Sequence, residues 1–389
     1  MKKLLIIISC LDLNIPLGCT PAWWQLMKGI SEQGIEIVCT PYLGNPVSSF
    51  WWQAEENPCS LEAKIFSWLK NLKRVVGKAG TEGAGTQTGA GVMRLAIDYH
   101  IRPRWKKHLS SILNRHPDIE AVLTLNVPPN HFRRIPQMIT EEFDVPVFFY
   151  DGDTPASLPE FGGFASGFQI YQDADLSEYT GVICNSEGVH NQLKAMGAIR
   201  VDTLHWGADP DIFRPRDVNK DVDIGFYGIG ERHREGWMRT MIGIPSRTLI
   251  DSIFTVYGTG FSAPSIGRAF VKPIIPFQRL PLELSRIRIH LNITRASHAR
   301  VPASSSTRLF EIAAMAGCIV SNPLNGLDKW FAEDEICIVQ NSKEATETYR
   351  DLLKSPERRS AIGARARARV LEEHTYIRRA KQLIRIIHG

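Results

Sequence analysis

A serine-rich segment followed by an arginine and a glutamate carries the clearest chemical signal in the sequence. It reads Ser304-Ser-Ser-Thr-Arg-Leu-Phe-Glu-Ile-Ala-Ala-Met-Ala-Gly317 and follows a predicted strand and loop. The pattern predicts a helix that opens with three hydroxyl side chains, those of Ser305, Ser306 and Thr307. Free N–H groups and the positive end of the helix dipole favour an anion there, and Arg308 adds a bidentate phosphate donor. Glu311 lies one turn further on the same side; the ordinary alternative is a serine-rich cap with an Arg308–Glu311 pair.

A second anion site is predicted just after another strand, at Gly228-Ile-Gly230-Glu-Arg-His-Arg234. Two glycines let the backbone approach a ligand closely, and Arg232 or Arg234 can meet a diphosphate. The segment is not a dinucleotide-binding fingerprint, because the third glycine would fall at His233.

Two carboxylates follow a third strand, in Asp151-Gly-Asp153-Thr-Pro155. Ligands of open α/β sheets bind at the carboxyl ends of the strands, so we expect Asp151 and Asp153 to face a cleft. Either can act as a general base, and His131 is a weaker candidate for the same role. The alternative is a turn closed by Asx hydrogen bonds. No Asp/His array with metal-ligand spacing and no nucleophile-elbow motif is present, so we expect no metal.

The elements that must position these residues alternate between strand and helix. Buried strands are predicted from continuous apolar runs, which are typical of parallel sheets covered on both faces. The first set is Lys3–Ser9, Ile35–Thr40, Ala121–Asn126, Pro146–Asp151 and Thr180–Asn185. After Pro210–Arg216 the pattern restarts with Val222–Tyr227, Phe254–Tyr257, Arg288–Ile293, Cys318–Ser321 and Ile336–Val339. Two successive α/β units joined near residue 212 predict two parallel-sheet domains that face each other across a cleft.

Composition excludes several classes of protein. The chain has 389 residues, of which 43% are hydrophobic and 22% charged, an ordinary globular mixture. The longest aliphatic run, Leu4–Ile8, is far too short to span a bilayer, and the seven cysteines form no C-x-x-C pair. We therefore expect a cytoplasmic protein. The basic C-terminal stretch alternates arginine with alanine at 365–369 and lacks the interleaved aromatics of a nucleic-acid site.

Residues 61–76 place apolar side chains on one helical face and lysines elsewhere, and the glycine-rich stretch 77–91 follows. We expect a flexible insertion over about 61–95. The amphipathic helix either packs on its own domain or contacts a membrane surface.

Three segments resemble GT-B glycosyltransferases. His205-Trp-Gly-Ala-Asp-Pro-Asp-Ile-Phe-Arg-Pro215 resembles their interdomain segment, and Thr307–Gly317 with Asn325-Gly-Leu-Asp328 resembles their donor-binding helix and following loop. Glu373-His-Thr-Tyr376, followed by Arg378 or Arg379, resembles the C-terminal segment of the spore-maturation CgeB-like branch. The resemblance extends over about 180–385, and in the first domain only the order of elements is similar.

The resemblance implies two Rossmann-like domains, with a nucleotide-sugar held mainly by the second domain and the acceptor mainly by the first. Glu311 would hold the donor ribose or sugar, and Arg308 with the Ser304–Thr307 turn would hold the diphosphate. The loops that contain Tyr257, Gly258 and Phe277 would line the nucleotide base of the donor. Retaining members of the related large family carry an earlier glutamate where this chain has Ala303, which leaves the stereochemistry open. The GT-B pattern works without a bound metal.

We therefore expect domains at 1–212 and 213–370, and a C-terminal helix at 371–389 that returns to the first domain. The predicted function is metal-independent transfer of a sugar from a nucleoside-diphosphate sugar to an acceptor hydroxyl of a glycan, lipid or protein. Alternatives on the same scaffold are a nucleotide-sugar epimerase and a non-catalytic nucleotide-sugar-binding protein. Beyond the donor substrate we expect no cofactor and no nucleic-acid partner, with a peripheral membrane contact as a further option.

Overall fold

The computed structural model describes residues 1–13, 21–60, 97–161, 170–230 and 234–389. Within these ranges the first sheet contains seven strands, all parallel, in the order β3-β2-β1-β4-β5-β6-β7. The strands are β1 Lys3–Cys10, β2 Glu36–Leu43, β3 Gln53–Ala54, β4 Ala121–Leu125, β5 Val147–Asp151, β6 Gly181–Cys184 and β7 Val201–Thr203. The central strands β1, β4 and β5 consist almost wholly of buried residues, as the continuous apolar runs predict.

The second sheet contains six described strands, again all parallel, in the order β10-β9-β8-β11-β12-β13. They are β8 Val222–Ile229, β9 Phe254–Thr259, β10 Phe270–Lys272, β11 Ile287–Asn292, β12 Cys318–Ser321 and β13 Cys337–Ile338. The predicted class of two parallel-sheet α/β units is therefore confirmed.

Helices connect the strands and cover the sheets. The described α-helices are α1 Pro21–Ser31, α2 Arg102–Arg115, α3 Ile135–Phe143, α4 His190–Ala195, α5 Glu235–Met238, α6 Ile244–Thr248, α7 Ala263–Ile266, α8 Leu280–Ser285, α9 Ala296–Arg300, α10 Thr307–Ala314, α11 Ser342–Lys354, α12 Pro356–Glu373 and α13 Tyr376–His388. One apolar cluster belongs to both units: Trp23 of α1, Trp206, Phe310 of α10 and Tyr376 of α13 are all part of it. This shared core holds the two sheets together.

The C-terminal helix α13 packs against α1, the first helix of the chain. The contact is close, since a Cβ at Gly29 would lie 2.7 Å from the main-chain oxygen of Tyr376. Arg379 of α13 donates through Nε to the main-chain oxygen of Trp206 at 2.9 Å. The domain limits at 212 and 370 stay predictions.

None of the described helices is both long enough and apolar enough to cross a membrane. The predicted amphipathic helix at 61–76 and the glycine-rich stretch at 77–91 lie outside the described residues.

Candidate functional site

The Arg308 guanidinium is enclosed at the start of α10. Its carbon Cζ lies 4.8 Å from the centroid of the Phe226 ring and 5.0 Å from that of Tyr227. Nε donates to the main-chain oxygen of Tyr227 at 3.0 Å. Nη2 lies 2.6 Å from the position that a Cβ on Gly228 would occupy, so glycine at 228 leaves room for the guanidinium. Nη1 is buried and has no hydrogen-bond partner among the described residues.

Burial disfavours the charge of this guanidinium, whereas the two ring faces and Glu311 attract it. Burial lowers the pKa of Arg308, and Arg295 lowers it further, while Tyr227 and Glu311 oppose the shift. A guanidinium nevertheless keeps its proton in proteins. A buried charge with an unused donor costs free energy until a partner binds, so the site is suited to receive an anion.

Glu311 lies one turn after Arg308 and is only 4% exposed. Its Oε2 accepts a hydrogen bond from the Tyr227 hydroxyl at 2.8 Å, and its Oε1 accepts one from Nε2 of Gln25 at 3.2 Å. Burial raises the pKa of Glu311, while Tyr227, Gln25 and Arg308 oppose the rise. The structure thus brings the predicted pair together through Tyr227, which contacts both side chains.

The serine-rich turn before α10 divides into two parts. Ser304 forms an isolated antiparallel bridge with Ser186 of the first unit, and Ser305 Oγ accepts from the main-chain N–H of Trp206 at 3.3 Å. Ser306 and Thr307 remain partly exposed, and the Ser306 side chain does not cap the helix. The first N–H groups of any helix lack partners within it, so this end of α10 can accept an anion beside Arg308.

The glycine loop after β8 is shaped by close packing. A Cβ at Gly230 would lie 2.2 Å from Cδ1 of Phe261, so a larger residue would displace that ring. Arg234 donates through Nε to the main-chain oxygen of Ile293 at 3.0 Å and through Nη1 to that of Ile229 at 2.8 Å. Arg234 therefore ties the ends of β8 and β11 together, and Arg232 lies outside the described residues.

The residues expected to line the nucleotide base lie at or near the ends of neighbouring strands. Gly258 has φ +142°, and a Cβ there would lie 1.8 Å from the main-chain oxygen of Gly228, so the two strands approach each other only with glycine at this position. Tyr257 is 3% exposed, and its hydroxyl has no hydrogen-bond partner among the described residues. Phe277 is partly buried, with its ring centroid 6.1 Å from that of Phe213.

Asp151 closes a turn within the first unit rather than facing an open cleft. The residue is 1% exposed, and its Oδ1 accepts from the Asp153 main-chain N–H at 2.8 Å. Oδ2 accepts from Ser157 Oγ and from the Tyr171 hydroxyl, each at 2.5 Å. Burial raises its pKa and these hydrogen bonds oppose the rise. The Asx-turn alternative therefore describes Asp151.

Asp153 is more exposed than Asp151, and Asn126 holds it in place. Nδ2 of Asn126 donates to Asp153 Oδ2 at 3.3 Å, while Oδ1 of Asn126 accepts from the Gly152 main-chain N–H at 2.7 Å. His131, in contrast, is 5% exposed, and its Nδ1 contacts the Tyr42 hydroxyl. Burial, with Arg102 adding to it, lowers the pKa of His131 to about 4. Of the three predicted reactive groups, Asp153 is the least buried.

Two residues that contact the predicted pair were missed from the sequence. Tyr227 ends the apolar run of β8 just before Gly228, and Gln25 is a polar residue within the apolar stretch Trp23-Trp24-Gln-Leu-Met27 of α1. A buried polar residue needs a hydrogen-bond partner, so Gln25 in an apolar stretch indicates a buried contact, although the sequence does not identify the partner.

Within the described residues no group of three or more His, Cys, Asp or Glu side chains is arranged to hold a metal ion.

Residues 239–385 match the family model described as "Glycosyl transferase-like". The two units form a GT-B fold of two Rossmann-like domains, and solved structures of similar architecture cover nearly the whole chain. No curated protein sequence matches the chain.

One similar structure is the sucrose-phosphate synthase from Thermosynechococcus elongatus, with TM-score 0.65 and 12% identity over 100% of this chain and 98% of that one. A second is Anabaena HepE in complex with UDP and glucose, with TM-score 0.62 and 8% identity over 99% of each chain. A third is the T4 phage β-glucosyltransferase in complex with its UDP-glucose substrate, with TM-score 0.58 and 12% identity over 99% of each chain.

Proposed function

We propose that this protein is a glycosyltransferase that moves a sugar from a nucleoside-diphosphate sugar to an acceptor hydroxyl. The observation that carries the proposal is Arg308: a buried guanidinium with an unused Nη1 at the N-terminus of α10, one turn before a buried glutamate. A diphosphate supplies the negative charge and the acceptor oxygens that this arrangement lacks. The glycosyltransferase-like match over 239–385 contains the same helix.

In this proposal the second domain holds the donor. Arg308 and the main-chain N–H groups at Ser306 and Thr307 bind the diphosphate and stabilise the charge that develops on it as the sugar departs. Glu311 accepts hydrogen bonds from hydroxyls of the donor. Because helix dipole and guanidinium stabilise the leaving group, we propose that the transfer needs no metal ion.

The first domain supplies the base. We propose that Asp153, held by Asn126, accepts the proton of the acceptor hydroxyl. Closure of the two domains would exclude water from the reacting atoms. The acceptor is a hydroxyl of a glycan, lipid or protein, and the C-terminal segment from Glu373 suggests a relationship to the CgeB-like branch. A cytoplasmic location is part of the same proposal, and a peripheral membrane contact is a further option.

The test is a thermal-shift screen against UDP-, GDP-, dTDP- and CMP-linked sugars. It begins with UDP-glucose, which is present in the T4 phage β-glucosyltransferase structure and in another structure of Anabaena HepE. A ligand present at 100 times its Kd stabilises the folded state by about 2.7 kcal/mol, which such a screen detects. Release of free nucleoside diphosphate that depends on added acceptor then separates transfer from epimerisation and from simple binding. If no nucleotide or nucleotide-sugar shifts the melting temperature, the proposed function is wrong.

A further inference from the structure

The Gln25 side chain connects the first domain to the proposed donor carboxylate. Gln25 lies on α1 and is fully buried, with 0% of its surface exposed. Its Oε1 accepts from the main-chain N–H of Asp209, in the segment between the two sheets, at 2.8 Å. Its Nε2 donates to Oε1 of Glu311 on α10 at 3.2 Å. One amide thus reaches both the interdomain segment and the second domain.

We propose that Gln25 is a positioning residue for donor binding, which holds the Glu311 carboxylate from the opposite domain. This inference rests on the function proposed above. Glu311 has two oxygens in a buried site, and each needs a donor there. Tyr227 of the same domain donates a hydrogen bond to Oε2, and Gln25 donates one to Oε1. The carboxylate therefore takes its donor-binding orientation only when α1 is docked, which couples donor affinity to the arrangement of the domains.

Neighbouring contacts fix the position of Gln25 itself. Lys28, one turn further along α1, forms ion pairs with Asp209 at 2.8 Å and Asp211 at 3.0 Å. Glu32, just after the end of α1, also pairs with Lys28 at 2.8 Å. These contacts attach α1 to the interdomain segment. They therefore fix the position of the Gln25 amide relative to Glu311.

The titratable and charged groups around Glu311 come from three elements. Tyr227 on β8 donates to it, Arg308 on its own helix attracts it, and Tyr376 on α13 lies within electrostatic range. These three residues are retained when Gln25 alone is replaced, so we assign a new titration in a Gln25 variant to the introduced group.

Gln25→Glu isolates the proposed contact. The new carboxylate has the same shape and still accepts from the Asp209 N–H, but it loses the donor to Glu311. Two adjacent carboxylates raise the pKa of one of them, and they can share one proton at low pH. That proton restores the hydrogen bond, so affinity should approach the wild-type value at about pH 5.5. As the pH is raised from there towards about 8.5, loss of the shared proton removes this hydrogen bond, and binding should weaken by roughly tenfold.

The measurement is the Kd of UDP, or of the nucleoside diphosphate that the wild type binds in the screen, across this pH range. Gln137→Glu is a matched control: Gln137 is exposed on α3 and donates through Nε2 to Oε1 of Glu141 at 2.7 Å. A ratio of variant to wild-type Kd that rises with pH for Gln25→Glu, and stays flat for Gln137→Glu, supports the inference. A flat ratio for both overturns it while the proposed function stands, and a wild type that binds no nucleotide removes the proposed function and this inference together.

A double-mutant cycle keeps the inference testable if Gln25→Glu fails to fold. Gln25→Met should weaken nucleotide binding in the wild-type background but add little in a Glu311→Gln background, because Gln25 acts through Glu311. Equal losses in both backgrounds overturn the inference.

Discussion

Replacing Arg308 with methionine removes the guanidinium and keeps most of the side-chain volume. The stability effect should be modest: the lost hydrogen bond from Nε to Tyr227 contributes about 1 kcal/mol, which for a domain of 150–250 residues corresponds to about 2–4 °C in melting temperature. The effect on the reaction should be larger. A hydrogen bond to a charged group contributes about 1.5–3 kcal/mol, so kcat/KM for the donor should fall by roughly 10- to 150-fold.

Donor kinetics and thermal shifts measure the two effects on the same variants. Arg288 on β11 provides a matched control, since its guanidinium pairs with Asp223 at 2.7 Å within the same domain. Arg288→Met should leave donor kinetics within about twofold of the wild type. Arg308 does not bind the donor if Arg308→Met lowers the melting temperature yet keeps wild-type kcat/KM and a wild-type nucleotide-induced shift. That result would make Arg308 a structural residue.

Three further predictions concern Glu311, the Asp151–Asp153 pair and His290. Glu311→Ala should lower donor kcat/KM by roughly tenfold or more through the loss of a charged contact, and wild-type donor kinetics would remove the glutamate from the site. Asp153→Asn should leave nucleotide Kd unchanged while reducing acceptor-dependent release of nucleoside diphosphate, whereas Asp151→Asn should mainly reduce stability; full turnover in Asp153→Asn would place the base elsewhere. Burial lowers the pKa of His290 to about 3, from an ordinary 6.5. Below about pH 6.5 the unfolded chain binds a proton at His290 that the folded protein does not bind, so the free energy of unfolding decreases as the pH falls. Between pH 6.5 and 5 this loss is about 2 kcal/mol, and His290→Gln should flatten the pH dependence measured by denaturant unfolding; an unchanged slope would contradict it.

The sheets were predictable because their central strands are buried on both faces. Runs such as Ala121–Leu125 and Cys318–Ser321 contain no exposed position, and that leaves a continuous apolar signal. Three edge strands were missed: Gln53–Ala54, Val201–Thr203 and Phe270–Lys272. Each has at most three residues and none is buried, so neither length nor apolar pattern distinguishes it from a loop.

The site was predictable only where its members are local in sequence. Arg308 and Glu311 share one turn of a helix, so their spacing alone places them on the same side. Gln25 meets Glu311 across 286 positions of sequence, and only the packed arrangement of the two domains creates that contact. Asp151 shows the opposite case. Its identity and its position after a strand suit a base as well as a turn, and the burial that decides between them is a tertiary property.

A crystal structure with bound UDP tests the central claim most directly. We expect the diphosphate oxygens to lie within hydrogen-bond distance of the Arg308 guanidinium and of the main-chain N–H groups at Ser306 and Thr307, with a ribose hydroxyl at Glu311. A structure in which UDP binds elsewhere, while Arg308 keeps only its contact with Tyr227, would contradict the account.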